Sequence, residues 1–121
     1  MKTGIKLFDS ELRVMDVLWK EGEITAKKIA VILNGQVGWS KTTTYTVIKK
    51  CLEKGAIERS DPNFVCRPLL TREDVQEFET NELITKMYDG AADQLVASIL
   101  ENKNLSEQEI ERLKQIVNSL E

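Results

Sequence analysis

The sequence predicts a mainly α-helical protein carrying one small β-hairpin, with three helices and the hairpin followed by a second, wholly helical part. Three observations carry this. Apolar residues recur at helical spacing from Leu12 to Leu52. The period then shortens to two brief strand-like runs on either side of "DPN", residues 61–63, which is turn chemistry. Helical spacing resumes after Thr71 and continues to the end, and the charge changes sign at the same place. Residues 1–70 hold twelve Lys/Arg and eight Asp/Glu, a balance of +4, whereas residues 71–121 hold five and twelve, a balance of −7, for a net −3. That division suggests two domains, 1–70 and 71–121, with different partners.

The elements follow in order. "DSELRVMDVLWKEG" is the first helix: Asp9 or Ser10 can cap it, and Glu11 suits the first turn. Leu12, Met15 and Trp19, with Val14 and Leu18, form its apolar stripe, and Gly22 stops it. "EITAKKIAVILNG" is a second helix, capped by Thr25 and ended by Asn34-Gly35, with Ile29, Ile32 and Leu33 inward. "QVGWS" is a loop. Ser40 then caps a third helix that runs to Lys54, with Gly55 as the stop. "AIERS" and "FVCRPLL" are the strands of the hairpin, and Pro68 confines the second to an edge or an end. Thr71 and Asp74 resemble a capping box opening a helix that "YDG" breaks at Tyr88. A helix over about Ala91–Glu101, an "NKN" loop and a final helix opened by the Ser106–Glu109 box complete the chain.

Composition narrows the function. With 41% hydrophobic and 31% charged residues the chain is expected to fold and be soluble. No apolar run is long enough to span a bilayer, so no membrane insertion is expected. "MKTGIKLFDS" lacks the apolar core of a signal peptide, which points to a cytoplasmic protein. There is no histidine, and the two cysteines, Cys51 and Cys66, read as buried thiols in a reducing compartment rather than a disulfide. No catalytic motif, phosphate-binding loop or metal-ligand cluster is present, so neither an enzyme nor a cofactor or metal is expected.

The third helix, "KTTTYTVIKKCLEK", spends its outward positions on hydroxyls and amines although threonine is a mediocre helix former. At about 100° per residue, Thr44, Val47, Ile48 and Cys51 share one side, with Leu52 at its margin. Thr42, Thr46, Lys49 and Glu53 lie opposite, flanked by Thr43 and Lys50 on one edge and Tyr45 on the other. Such a face suits a major groove: hydroxyls reach base edges or phosphates, methyl groups meet thymine methyls, and lysines attract the backbone. The plainer reading is a merely solvated face. As the second helix of a helix-turn-helix followed by a hairpin, DNA binding is the stronger one. The alternative from another class is a winged-helix protein-interaction module that binds no DNA.

At this point the chain resembles the penicillinase and methicillin-resistance repressors, bacterial winged-helix regulators. "ELRVMDVLW" is similar to the family's first helix, "GWSKTTTYTVIKKCLEKGAI" to its recognition helix and entry to the wing, and "YDGAADQLVASIL" and "LSEQEIERLKQIV" to its dimerisation helices. The resemblance implies a winged helix-turn-helix plus a helical dimerisation region, a homodimer, and repression through a palindromic double-stranded DNA operator. It implies Thr43 and Thr46 as base readers, with Ser40, Lys41, Thr42, Lys49 and Lys50 on phosphates or the groove edge and Tyr45 beside them. The wing tip "SDPN" has no arginine of its own, which leaves Arg59, and further on Arg67, as its backbone contacts. Thr44 and Cys51 stand where aliphatic residues are common in the family. The family is relieved by cleavage that depends on a sensor protease, usually at Asn-Phe. The corresponding bond here is Ser98-Ile99. Copper sensing through a C-terminal C-x-C pair is not expected, because no cysteine follows Cys66.

The last fifty-one residues can hardly enclose a core alone. Val75, Phe78, Leu83, Met87, Leu95, Val96, Ile99, Leu100, Ile110, Leu113, Ile116, Val117 and Leu120 are their apolar positions. A second copy would bury them, and a two-fold dimer would match a two-fold operator. The alternative is that they fold back on the first three helices.

Overall fold

The structure, a computed structural model, describes residues 4–102 and 105–120. The chain divides into two compact units, Met1–Glu79 and Thr80–Glu121. The first contains α1 (Asp9–Glu21), β1 (Ile24–Thr25), α2 (Ala26–Val37), α3 (Lys41–Lys54), β2 (Ile57–Ser60) and β3 (Val65–Pro68). α4 (Arg72–Met87) begins in the first unit and ends in the second, which also holds α5 (Ala92–Glu101) and α6 (Glu107–Asn118). The fold is the mainly helical one expected, and no helix among the described residues is long and apolar enough to cross a membrane.

Most local signals act where the sequence puts them. Ser40 caps α3 by accepting from the Thr43 N–H at 3.1 Å, and Gly55 ends the helix in the left-handed region, which only glycine enters at little cost. Thr25 caps α2 in the same way through Lys28 N–H. Thr71 and Asp74 exchange side chain-to-backbone bonds of 2.9 and 3.0 Å, as do Ser106 and Glu109 at the head of α6. Those bonds to Ser106 hold the Glu109 carboxyl below its ordinary pKa. "YDG" breaks α4, with Asp89 and Gly90 both at positive φ.

Four expectations need correction. α1 starts after Phe8, not with a cap from Asp9 or Ser10. The Glu11 carboxylate takes the Phe8 N–H at 2.7 Å and so supplies the acidic half of a capping box, while Phe8 has no side-chain acceptor to return. α2 runs through Asn34-Gly35 and ends at Gly38, because Asn34 donates to the Trp39 carbonyl at 3.0 Å and glycine in mid-helix is tolerated. The hairpin is joined by a third strand: β1 pairs antiparallel with β3, giving the order β1-β3-β2. β3 is therefore central, and Pro68 sits at its end opposite Ile57. Finally, Val75, counted among the apolar positions that a second copy would bury, belongs to the core of the first unit. Of the expected "NKN" loop, Lys103 and Asn104 lie outside the described residues.

The first unit closes on itself. Met15 and Leu18 of α1, Ile29 and Leu33 of α2, and Ile48 of α3 are sealed from solvent with Ala56, Ile57 and Leu70. Cys51 and Cys66 are unpaired and buried, and burial pushes their thiols up to about 12 and about 11, so both stay protonated at neutral pH. Glu11 is buried as a charge but satisfied. It accepts from Lys54 at 2.6 Å, and that ammonium also donates to the Lys6 carbonyl and sits 4.2 Å from the Phe8 ring centre. This joins the end of α3 to the start of α1.

Beyond residue 70 the first unit continues because the first turns of α4 are fastened to α1. Trp19 donates its indole N–H to the Leu70 carbonyl at 2.8 Å, and Arg72 reaches Asp16 at 2.8 Å while lying 5.0 Å from the Trp19 ring centre. Partial burial pushes the Asp16 pKa up, but hydrogen bonds and charge from Lys20 and Arg72 outweigh it and hold the carboxyl below its ordinary value. The second unit is the reverse: α5 and α6 contain no buried residue at all.

Candidate nucleic-acid interface

α3 turns the expected side inward. Thr44, Val47, Ile48 and Cys51 are buried, Tyr45 and Leu52 are half-buried, and Lys41, Thr42, Thr43, Thr46, Lys49 and Lys50 are exposed. Lys41, Thr42, Tyr45, Thr46 and Lys49 line one shallow hollow of about 400 Å³. Lys49 and Lys50 form no ion pair among the described residues, so their charge is free for an outside anion. The buried Thr44 hydroxyl has no hydrogen-bond partner among the described residues, a cost that an aliphatic residue would avoid.

The hydroxyls are not equivalent. Ser40 is doubly committed: its oxygen caps Thr43 N–H, and its own proton goes to Thr43 Oγ1 at 3.0 Å. Thr43 thus accepts internally and keeps its own proton to donate outward. Thr46 is the converse: it donates to the Thr42 carbonyl one turn back at 2.9 Å and offers outward only lone pairs. The two residues would favour opposite partners, Thr43 an acceptor and Thr46 a donor such as a base amino group.

On the wing, Arg59 donates through Nε to Asp61 at 3.1 Å and packs its guanidinium 3.6 Å from the Phe64 ring centre. Arg67 is held by Glu58, its partner in the strand register, which makes it a poorer outside contact than Arg59. Lys27 was not singled out by sequence reasoning. It lines a second depression with Ala30, Val31, Asn34 and Lys41, placing an α2 cation beside the head of α3. The "AKK" that follows the Thr25 cap was the available signal. Ser98 and Ile99 are elsewhere, in α5 of the second unit, the first half-buried and the second exposed.

The penicillinase repressor family model matches residues 7–119. The chain belongs to the penicillinase repressor family. It is 31% identical to the penicillinase repressor of Bacillus licheniformis over 97% of this chain and 93% of that one. It is 30% identical to the methicillin resistance regulatory protein MecI of Staphylococcus aureus (strain N315), over 93% and 94%. Among solved structures, the DNA-binding domain of the repressor BlaI superposes with a TM-score of 0.55 at 30% identity, covering 61% of this chain and 93% of that one. The Bacillus licheniformis BlaI monomeric form in complex with the blaP half-operator gives 0.50 at 30%, covering 57% and 87%. The family is one of transcriptional repressors, not of enzymes, and its DNA-binding fold is the winged helix seen in the first unit.

Proposed function

We propose that this DNA-binding transcriptional repressor acts as a homodimer on a palindromic operator, reading each half-site with α3. The observation that carries this is the outward face of α3, where unpaired lysines and two threonines of opposite hydrogen-bonding sense stand over a closed core. Thr43 and Thr46 read base edges. Lys41, Thr42, Tyr45, Lys49 and Lys50 meet the phosphates and groove edge, and Arg59 of the wing meets the backbone. Ser40 contributes by holding the head of α3 and orienting Thr43, with its hydroxyl already spent on the cap. Acting on DNA, the protein works in the cytoplasm. A relative engages a half-operator as a monomer, and a second copy supplies the other half-site. The open apolar faces of α5 and α6 support that association.

Relief follows from a cut by a sensor-dependent protease at Ser98-Ile99. A protease needs extended backbone, and α5 buries no side chain in a core, so its local opening costs little.

Titration of fluorescent promoter duplex at several salt concentrations tests the reading. Thr46→Ala should cost about 1–3 kcal/mol and relax base preference. Lys49→Ala should weaken all sequences alike and flatten the salt slope by about 0.9. Binding indifferent to salt would instead favour a protein-interaction module.

A further inference from the structure

We propose that Phe64 is a positioning residue for DNA recognition: its ring joins the Arg59 guanidinium on the wing to Tyr45 on α3, so that wing and reading helix meet the duplex as one surface. The inference rests on the reading that α3 faces DNA. It assigns a task to a residue which that reading leaves out.

Four groups stand in a row. The Lys41 ammonium lies 5.7 Å from the Tyr45 ring centre. The Tyr45 and Phe64 rings meet edge to face, with centres 5.7 Å apart and planes at 86°. The Arg59 guanidinium covers Phe64 at 3.6 Å. Aromatic pairs favour this T-shaped arrangement, and a guanidinium favours a ring face, so each contact supports the next.

The backbone holds Phe64 there at a cost. Its φ is 51°, in the left-handed region that residues bearing a Cβ rarely adopt. Its carbonyl accepts from the Ala26 N–H at 2.9 Å, which fixes the residue to the head of α2. A residue kept in a disfavoured conformation and tied from another element is over-determined in position. What that position gives is the side chain between Arg59 and Tyr45.

The consequence is a defined place for one cation. An arginine on a free hairpin samples many rotamers and gives up that freedom on binding DNA. Stacked on Phe64 with Nε committed to Asp61, Arg59 keeps the four N–H groups of its terminal nitrogens for a phosphate. Arg67, occupied by Glu58 and stacked on no ring among the described residues, has no such preparation.

The full-length protein, its variants and fluorescent operator duplex provide the test, read as affinity at one salt concentration and as the salt slope. Phe64→Leu keeps an apolar side chain and the same backbone demand but removes the ring. It should weaken binding about fivefold, the scale of a single cation–ring contact, and lower the slope toward that of Arg59→Ala. Arg59→Ala should lose about 0.9 from the slope for its phosphate. In the Arg59→Ala background Phe64→Leu should add nothing further, whereas with Arg59 present Phe64→Trp, which keeps a ring under the guanidinium, should retain affinity. A residue needed only for folding would lower the melting midpoint in both backgrounds and add its effect in each. Independent, multiplying losses overturn the proposal. So does an unchanged Phe64→Leu beside a weakened Arg59→Ala. If Lys49→Ala weakens binding and Arg59→Ala does not, the wing makes no contact and this inference fails while the reading of α3 stands. If none of these variants changes binding, the reading of α3 itself fails. The Arg59 Nε–H proton resonance of the free protein gives a measure independent of DNA. The ring should shift it upfield in the natural protein, and its ordinary position there would also overturn the proposal.

Discussion

α1–α3 and α5–α6 carry the same kind of sequence, amphipathic helices with aliphatic stripes, and meet opposite fates. In the first set the stripes converge, and Val14, Met15, Ile29, Leu33 and Ile48 are fully sealed. In the second they stay open: Val117 is 62% exposed and Ile116 57%. The difference teaches that periodicity identifies the apolar face of a helix but not what covers it. A closed stripe accounts for its own burial, whereas an open one at this density calls for a partner surface.

Removing the open region should have the largest effect. A fragment of residues 1–79 keeps the core and the α4 anchors, so it should fold and sediment as a monomer. Its affinity for the full operator should fall about 10²- to 10⁴-fold, since the second half-site is no longer held at high effective concentration. Equal affinity of fragment and whole chain would break the link between the open faces and association. A smaller contrast comes from matched truncations. Ile48→Ala should cost about 2–5 kcal/mol in urea unfolding. Val117→Ala should leave the unfolding of the first unit unchanged and raise the dimer dissociation constant measured by sedimentation. If Val117→Ala destabilised the first unit, the two regions would not be independent. The smallest effect tests how completely the closed core is satisfied. Thr44→Val removes a buried hydroxyl without a partner at nearly constant volume, and should stabilise by about 1 kcal/mol in the same unfolding measurement.

Much of the first unit was legible because its signals are local. Ser40 and Gly55 bracket α3, and the 100° wheel alone placed Thr44, Val47, Ile48 and Cys51 inside. What escaped depends on contacts distant in sequence. β1 is only two residues long and exists because β3 offers it an edge. Val75 looked like any other apolar position of an acidic helix until Trp19, Leu70, Asp16 and Arg72 fastened the start of α4 to α1. The candidate interface was legible as a list of outward residues but not as chemistry. The opposed hydroxyls of Thr43 and Thr46 and the ring between Arg59 and Tyr45 follow from distances, and residue type does not encode them.

The fastening of α4 also bears on how the rest of that helix forms. Starting a helix is the unfavourable step, because several residues must be fixed before one hydrogen bond is gained, whereas each later residue adds a bond of its own. The Thr71–Asp74 box and the Arg72–Asp16 bond complete that step inside the first unit. The turns toward Met87 then need only to propagate from a finished seed. They can be helical before anything else touches them, and the proposed association would begin with an ordered arm instead of a coil that must first be organised.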